Sequence, residues 1–190
     1  MTCIVAVEHE GNVYVGADSI GVAGWEKASR ADQKVFVNGD FIMGFCGSFR
    51  LGQLLKYSFE PPAQSSKSED MEYLVNDFVD SIRALLKEKG SITVDDGVED
   101  MIASSFIVGY RGKIYTIESD LQVAMHTEPY FAVGAGAQLA LGSLYSTIDD
   151  PDPEKRLITA LNAASTFCAA VAPPFVTMCL KSEEEVAENG

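Results

Sequence analysis

Residues 3–7, Cys3-Ile4-Val5-Ala6-Val7, are apolar without a break. A β-rich run of this kind predicts a strand buried on both faces. Glu10-Gly11-Asn12 is a turn signal, and Val13-Tyr14-Val15-Gly16-Ala17 reads as a second strand. Together they predict a hairpin centred near residue 10. The pattern repeats downstream: a strand over 34–37, the turn Asn38-Gly39-Asp40, and a strand over 41–46.

Helical spacing takes over next. Leu51, Leu54 and Leu55 predict a short helix that ends before Pro61-Pro62. Ser66 and Glu69 have capping-box spacing. Beyond them Met71, Leu74, Val75, Phe78, Val79, Ile82, Leu85 and Leu86 recur at i, i+3, i+4, which predicts the strongest helix of the chain, stopped by Gly90. Strands return over 105–109 and 113–117 around a Tyr110-Arg111-Gly112 turn, with weaker ones over 123–125 and 130–133. Gly134-Ala135-Gly136 opens a helix through Leu139, Leu141, Leu144 and Tyr145. Asp152-Pro153 supplies an N-cap with Pro at N1 for another helix, expected to run to Pro173-Pro174. A last strand covers 175–180, and the acidic tail over 181–190 is expected to be mobile.

Strands, helices, strands, helices and a strand, with central strands apolar on both faces, predict an α+β fold. Two antiparallel sheets stacked on each other and covered by helices, a four-layer αββα sandwich, satisfy both facts. The length of 190 residues suits one domain.

Charge narrows the partners. Fourteen Lys and Arg against 28 Asp and Glu leave −14. That argues against nucleic acid, which needs a basic surface, and against anionic membrane. No apolar run approaches the roughly 20 residues of a membrane helix. Acids at Glu8 and Glu10 and the lack of a basic stretch before residue 3 do not fit a secretory leader. Cys3, Cys46, Cys168 and Cys179 lack CxxC spacing, so the expectation is a cytoplasmic protein with reduced thiols and no zinc. The acidic group Asp95, Asp96, Glu99 and Asp100 does not fit an EF-hand and reads as a solvated loop. Gly134-Ala135-Gly136 lacks the third glycine of a dinucleotide loop, so it reads as a tight strand-to-helix turn, and no cofactor is expected.

Hairpin geometry suggests where chemistry lies. In a hairpin centred on residue 10, opposed positions sum to about 20, which sets Thr2 opposite Asp18. A centre at residue 39 sets Lys34 near Gly44 and within reach of Gly47. If the hairpins are neighbours, Thr2, Asp18, Lys34 and Gly47 meet at one sheet end. Removal of Met1, expected because Thr2 is small, leaves a free α-amine beside the Thr2 hydroxyl, and that amine can act as base for the Oγ nucleophile. Lys34 then keeps the amine neutral, Asp18 holds Lys34, and the Gly47 N–H is an oxyanion donor. Each residue also has an ordinary reading. A small residue at position 2 is common, Asp18 can cap a turn with Ser19, and Lys34 can be a solvated edge lysine.

The segments Thr2-Cys3-Ile4-Val5-Ala6-Val7, Gly16-Ala17-Asp18-Ser19, Lys34-Val35 and Gly44-Phe45-Cys46-Gly47-Ser48 resemble the proteasome β-subunit family of N-terminal nucleophile hydrolases, closest to the HslV-like peptidase subunits. The later segments Phe106-Ile107-Val108-Gly109 and Ala132-Val133-Gly134-Ala135-Gly136 resemble it as well. The resemblance implies the αββα fold of those hydrolases. It implies Thr2 as nucleophile, Lys34 beside it, Asp18 orienting that lysine, and Gly47 as the oxyanion glycine. Gly21 and Val22 match the strand that pairs with a peptide substrate. The implied partners are a peptide or unfolded protein substrate, further copies in a homo-oligomeric ring, and an ATPase unfoldase.

Three positions depart from the family pattern. Ala135 stands where the family usually has Ser, Thr166 where it usually has Asp, and Ala169 or Ala170 where it has Ser or Tyr. These outer residues support the free amine. The expected activity is that of a threonine peptidase. A catalytically silent structural homologue and a small-molecule amidase with the same nucleophile are the alternatives.

Overall fold

The computed structural model describes residues 2–91, 102 and 104–182. The acidic group at 95–100 and the tail beyond Ser182 lie outside the described residues.

Nine of the eleven strands among the described residues form where the sequence predicts strands. β1 (Cys3–His9) and β2 (Asn12–Asp18) pair as a hairpin, flanked by β10 (Tyr130–Gly134) and β11 (Phe175–Leu180) in the order β10-β1-β2-β11. A second antiparallel sheet runs β5 (Val35–Asn38), β6 (Phe41–Gly47), β7 (Ser104–Tyr110), β8 (Lys113–Ile117) and β9 (Val123–Met125). A separate hairpin joins β3 (Ile20–Ala23) to β4 (Glu26–Ser29). The helices are α1 (Phe49–Tyr57), α2 (Asp70–Tyr73), α3 (Val79–Glu88), α4 (Ala137–Ser146) and α5 (Pro153–Phe167), with a π-helical turn over Leu74–Phe78 between α2 and α3.

Strand alternation sorts the core into three layers of contact. Cys3, Val5 and Val7 of β1 face Ala140, Leu157, Leu161 and Ala164 of α4 and α5. Ile4 and Ala6, pointing the other way, meet Ile42 and Ile107 of the second sheet. On that sheet's far side Met43, Phe45, Phe106 and Val108 meet Leu51, Leu55, Phe78, Ile82 and Leu86 of the helices. The chain is the expected four-layer αββα sandwich. The sheets approach closely at Gly44, where an added Cβ would lie 2.6 Å from the Ile4 side chain.

The hairpin registers differ from the expected ones by one residue. Ile4 pairs with Ala17 and His9 with Asn12, so opposed positions sum to 21 rather than 20. The cause is a two-residue turn, in which Glu10 (φ 50°) and Gly11 (φ 77°) both take positive φ, as a type I′ turn requires. Asp18 therefore belongs opposite Cys3, not Thr2. Likewise Val35 pairs with Gly44 and Asn38 with Phe41, which puts Lys34 beside Phe45, whose amide donates to the Lys34 carbonyl at 3.1 Å. The two hairpins also lie in different sheets, facing each other across the core instead of side by side.

Three helix expectations change as well. The helix over 70–88 starts at Asp70 with Glu69 as N-cap and no side-chain cap, so Ser66 and Glu69 form no capping box. The π turn inserts a residue into the helical repeat and rotates its stripe. Tyr73 is buried while Met71 and Val75 are exposed. α5 stops at Phe167, well before Pro173-Pro174.

Candidate active site

The ends of β2 and β5 place Asp18 and Lys34 face to face between the sheets. The Lys34 ammonium lies 2.9 Å from both carboxylate oxygens of Asp18. Neither side chain has any exposed area. Asp18 also accepts the Cys3 amide at 2.9 Å and the Ile20 amide at 3.2 Å. The carboxylate thus clamps the Thr2–Cys3 peptide with one oxygen and the start of β3 with the other. Burial pushes the Lys34 ammonium below the ordinary lysine value, and the charge and hydrogen bonds of Asp18 act against that shift.

Thr2 is buried and held from the other side by the turn before α4. Gly136 donates to the Thr2 carbonyl at 3.4 Å. Gly134, opposite Cys3 in the register, takes φ 98°, and a Cβ there would lie 2.3 Å from the Thr2 carbonyl oxygen. Position 134 therefore requires glycine twice over, for its φ and for the close approach. The same added Cβ would lie 3.3 Å from Cys46, so the end of β6 comes up to the Thr2 carbonyl. Gly47 follows Cys46 as the last residue of β6, with φ 95°. Ser48 caps α1, accepting the Leu51 amide at 3.3 Å, and its own amide donates to Ser104 Oγ at 2.9 Å. The first turn of α1 carries no acid, so the positive end of the helix lies just beyond Gly47 without a compensating carboxylate.

The hydrogen bonds thus join Asp18 and Lys34 to the peptide after Thr2, and the Gly134 turn joins that peptide to the strand ending in Gly47. Gly21 and Val22 stand in β3, paired with Ala28 and Lys27 of β4. β3 and β4 form a two-stranded sheet of their own, and every residue of β4 is exposed. A strand with no buried position shows no alternation, which is why β4 left no mark in the sequence pattern. Trp25, at the tip of this hairpin, is fully exposed.

A cavity of about 640 Å³ opens beside the hairpin, lined by Val22, Trp25, Ala135, Ser165, Ala169 and Ala170 among others. Ala135, Ala169 and Ala170 do come together there. Thr166 does not: it is exposed, and its hydroxyl donates to the Asn162 carbonyl of its own helix at 2.8 Å. Its neighbour Ser165 faces the cavity instead. Among the described residues no group of three or more His, Cys, Asp or Glu is arranged to hold a metal ion. No described helix is long and apolar enough to cross a membrane.

The sequence model of the proteasome subunit family matches residues 1–166. The chain belongs to the proteasome subunit family. The solved structures agree on the fold of this family member. BPH from Thiobacillus denitrificans, solved in complex with epoxomicin, is 20% identical with a TM-score of 0.77, covering 95% of this chain and 98% of that one. Eukaryotic HslV from Trypanosoma brucei is 20% identical with a TM-score of 0.65, covering 94% and 98%. Anbu from Yersinia bercovieri is 13% identical with a TM-score of 0.65, covering 94% and 81%. A search of the curated proteins finds no match.

Proposed function

We propose that this proteasome-family chain is a threonine-type peptidase whose nucleophile is Thr2 after removal of Met1. The observation that carries the reading is the Asp18–Lys34 pair. Burying an ion pair costs several kcal/mol per ion, so such a pair is weak evidence for stability and invites another role. Here it also hydrogen-bonds the peptide that follows Thr2.

The free amine of Thr2 takes the proton from its own Oγ as Oγ attacks the substrate carbonyl. Lys34, charged and tethered by Asp18, disfavours a second cation at the amine and so keeps it basic but unprotonated. The oxyanion forms near the Gly47 N–H and the positive end of α1. The amine then gives its proton to the leaving amine, and an ester on Thr2 remains. Water activated by the same amine hydrolyses that ester and restores Oγ. A peptide extended along β3 at Gly21 and Val22 would present its carbonyls to this site by strand addition.

Anbu from Pseudomonas aeruginosa forms a helical assembly, which supports a homo-oligomeric state for this relative. The alanines at 135, 169 and 170 favour a second reading, a catalytically silent assembly subunit. Short fluorogenic peptides separate the two. Hydrolysis that disappears in Thr2→Ala supports the peptidase. Hydrolysis that survives Thr2→Ala overturns the role of Thr2, and inert protein with Met1 removed supports the silent subunit. Cleavage of simple amides but not peptides would identify a small-molecule amidase.

A further inference from the structure

Gly47 closes β6, and its amide meets a substrate oxygen only if the peptide planes on both sides of it are held. The ladder sets the incoming plane. The Phe45 amide donates to the Lys34 carbonyl at 3.1 Å, so it faces β5. Amides two residues apart on a strand point to the same side, so the Gly47 N–H faces that side as well. β5 begins at Val35, which pairs with Gly44, and so it has ended before it could supply Gly47 with a partner. The Gly47 N–H therefore points past the end of β5, on the side from which Lys34 enters the site.

The outgoing plane needs a different anchor, because the chain turns at Gly47, with φ 95°. β7 begins at Ser104, the register partner of Gly47, so Ser48 lies one step past the paired region. A side chain takes over there. The Ser48 amide donates to Ser104 Oγ at 2.9 Å, and Ser104 is buried. That hydroxyl stands where the next ladder carbonyl would be. The rest of Ser48 is tied to α1: its hydroxyl accepts the Leu51 amide and its carbonyl accepts the Gly52 amide at 3.3 Å. Gly47 has no Cβ to restrict its rotation, so its N–H is aimed by what holds its two neighbours.

We propose that Ser104 is a positioning residue for the oxyanion site: by holding the Ser48 amide on β7, it fixes Gly47 with its N–H aimed at the oxygen of the carbonyl that Thr2 attacks. Ser104 acts through Gly47 and touches none of the reacting atoms. Its hydroxyl takes the Ser48 N–H out of competition and leaves that of Gly47 to the developing charge. A dipole already fixed in place lowers the barrier because nothing has to reorganise during the reaction. This inference rests on the peptidase reading.

The test compares the wild type, Ser104→Ala, Ser104→Cys and Ser104→Thr on one fluorogenic peptide, at a temperature where each is fully folded. Losing an oxyanion donor outright costs about 10²–10³ in kcat, so a donor kept but misaimed in Ser104→Ala is expected to cost about tenfold, with KM unchanged. Ser104→Thr keeps the hydroxyl and is expected to recover kcat to within about twofold of wild type, with Ser104→Cys, a weaker acceptor, in between. If the alanine variant does not fold, the cysteine variant carries the comparison. A peptide aldehyde, whose adduct with Thr2 sets its oxygen at the oxyanion position, is expected to bind Ser104→Ala about tenfold more weakly, while the matching peptide alcohol, which cannot add to Thr2, binds as it does to wild type. An unchanged kcat in folded Ser104→Ala, a threonine variant as slow as the alanine one, or an equal loss of aldehyde and alcohol binding overturns the positioning role while leaving the peptidase intact. Failure of the wild type to cleave peptides, with Thr2 unreactive toward an epoxyketone, overturns the peptidase reading and this inference with it.

Discussion

Lys34 and Asp18 meet at 2.9 Å on both carboxylate oxygens with no exposed side-chain area, one from the end of each sheet. The pair couples the two sheets at the point where the chain begins. Removing one partner leaves a bare charge in the interior. Lys34→Ala and Asp18→Ala are each expected to destabilise the protein by about 3–5 kcal/mol. The double change Asp18→Asn with Lys34→Met should cost less than either, while hydrolysis stays absent in all three. Urea unfolding with a peptide assay checks both halves. A double variant that keeps its activity would separate the pair from catalysis.

Gly134→Ala tests the seat of Thr2. The new Cβ needs a positive φ and collides with the Thr2 carbonyl oxygen. A strain of about 1–3 kcal/mol is expected, along with slower reaction of Thr2 than that loss of stability alone produces. The readouts are the thermal midpoint and the rate of covalent labelling at a temperature where the variant is fully folded.

Much of this arrangement was legible in the residues, and what was not failed for definite reasons. Cys3–Val7 and Phe41–Cys46 read as buried strands because both their faces are covered, one by the opposite sheet and one by helices. Asp152 and Pro153 set the start of α5 by local chemistry alone. The register of the first hairpin differs by one because Glu10 takes a positive φ, which only the turn geometry reveals. The helical stripe misplaced Met71, Val75 and Tyr73 because a π turn cannot be seen in a 3.6-residue period. The hairpin of β3 (Ile20–Ala23) and β4 (Glu26–Ser29) has one buried position, Ile20, too few to show. Thr166 lies on the exposed face of α5, one residue round from Ser165, so a single position along a helix moves a side chain off the cavity.

Cys3 gives a pH prediction. Burial, reinforced by Asp18, pushes its thiol up to about 12 from 9.0. Burial also pushes Tyr73 and Tyr115 up to about 12 from 10.0. A raised folded pKa means the unfolded chain loses these protons first, so their contribution is complete below about pH 9 and is lost as pH rises toward 12. Lys34, lowered by burial, acts in the opposite sense below its unfolded value of 10.5. The thermal midpoint is expected to fall between pH 10.5 and 12, and to fall less steeply in Cys3→Ala. An equal slope in that variant would contradict the assignment.

The same burial predicts thiol reactivity. Cys3 and Cys46 are buried, whereas Cys168 and Cys179 are partly exposed. Iodoacetamide at pH 8 is expected to modify Cys168 before Cys3 in the folded protein, and all four thiols in urea. Peptide mapping at short reaction times reads the order directly.

The central claim is that Thr2 carries a free amine and a reactive hydroxyl. Intact mass spectrometry of the protein before and after treatment with an epoxyketone, which requires both groups, tests it most directly. The account predicts loss of Met1, a single adduct on Thr2, and no adduct in Thr2→Ala or in a folded Lys34→Ala protein. Retained Met1, or a Thr2 that is exposed by processing yet takes up no probe, would contradict it.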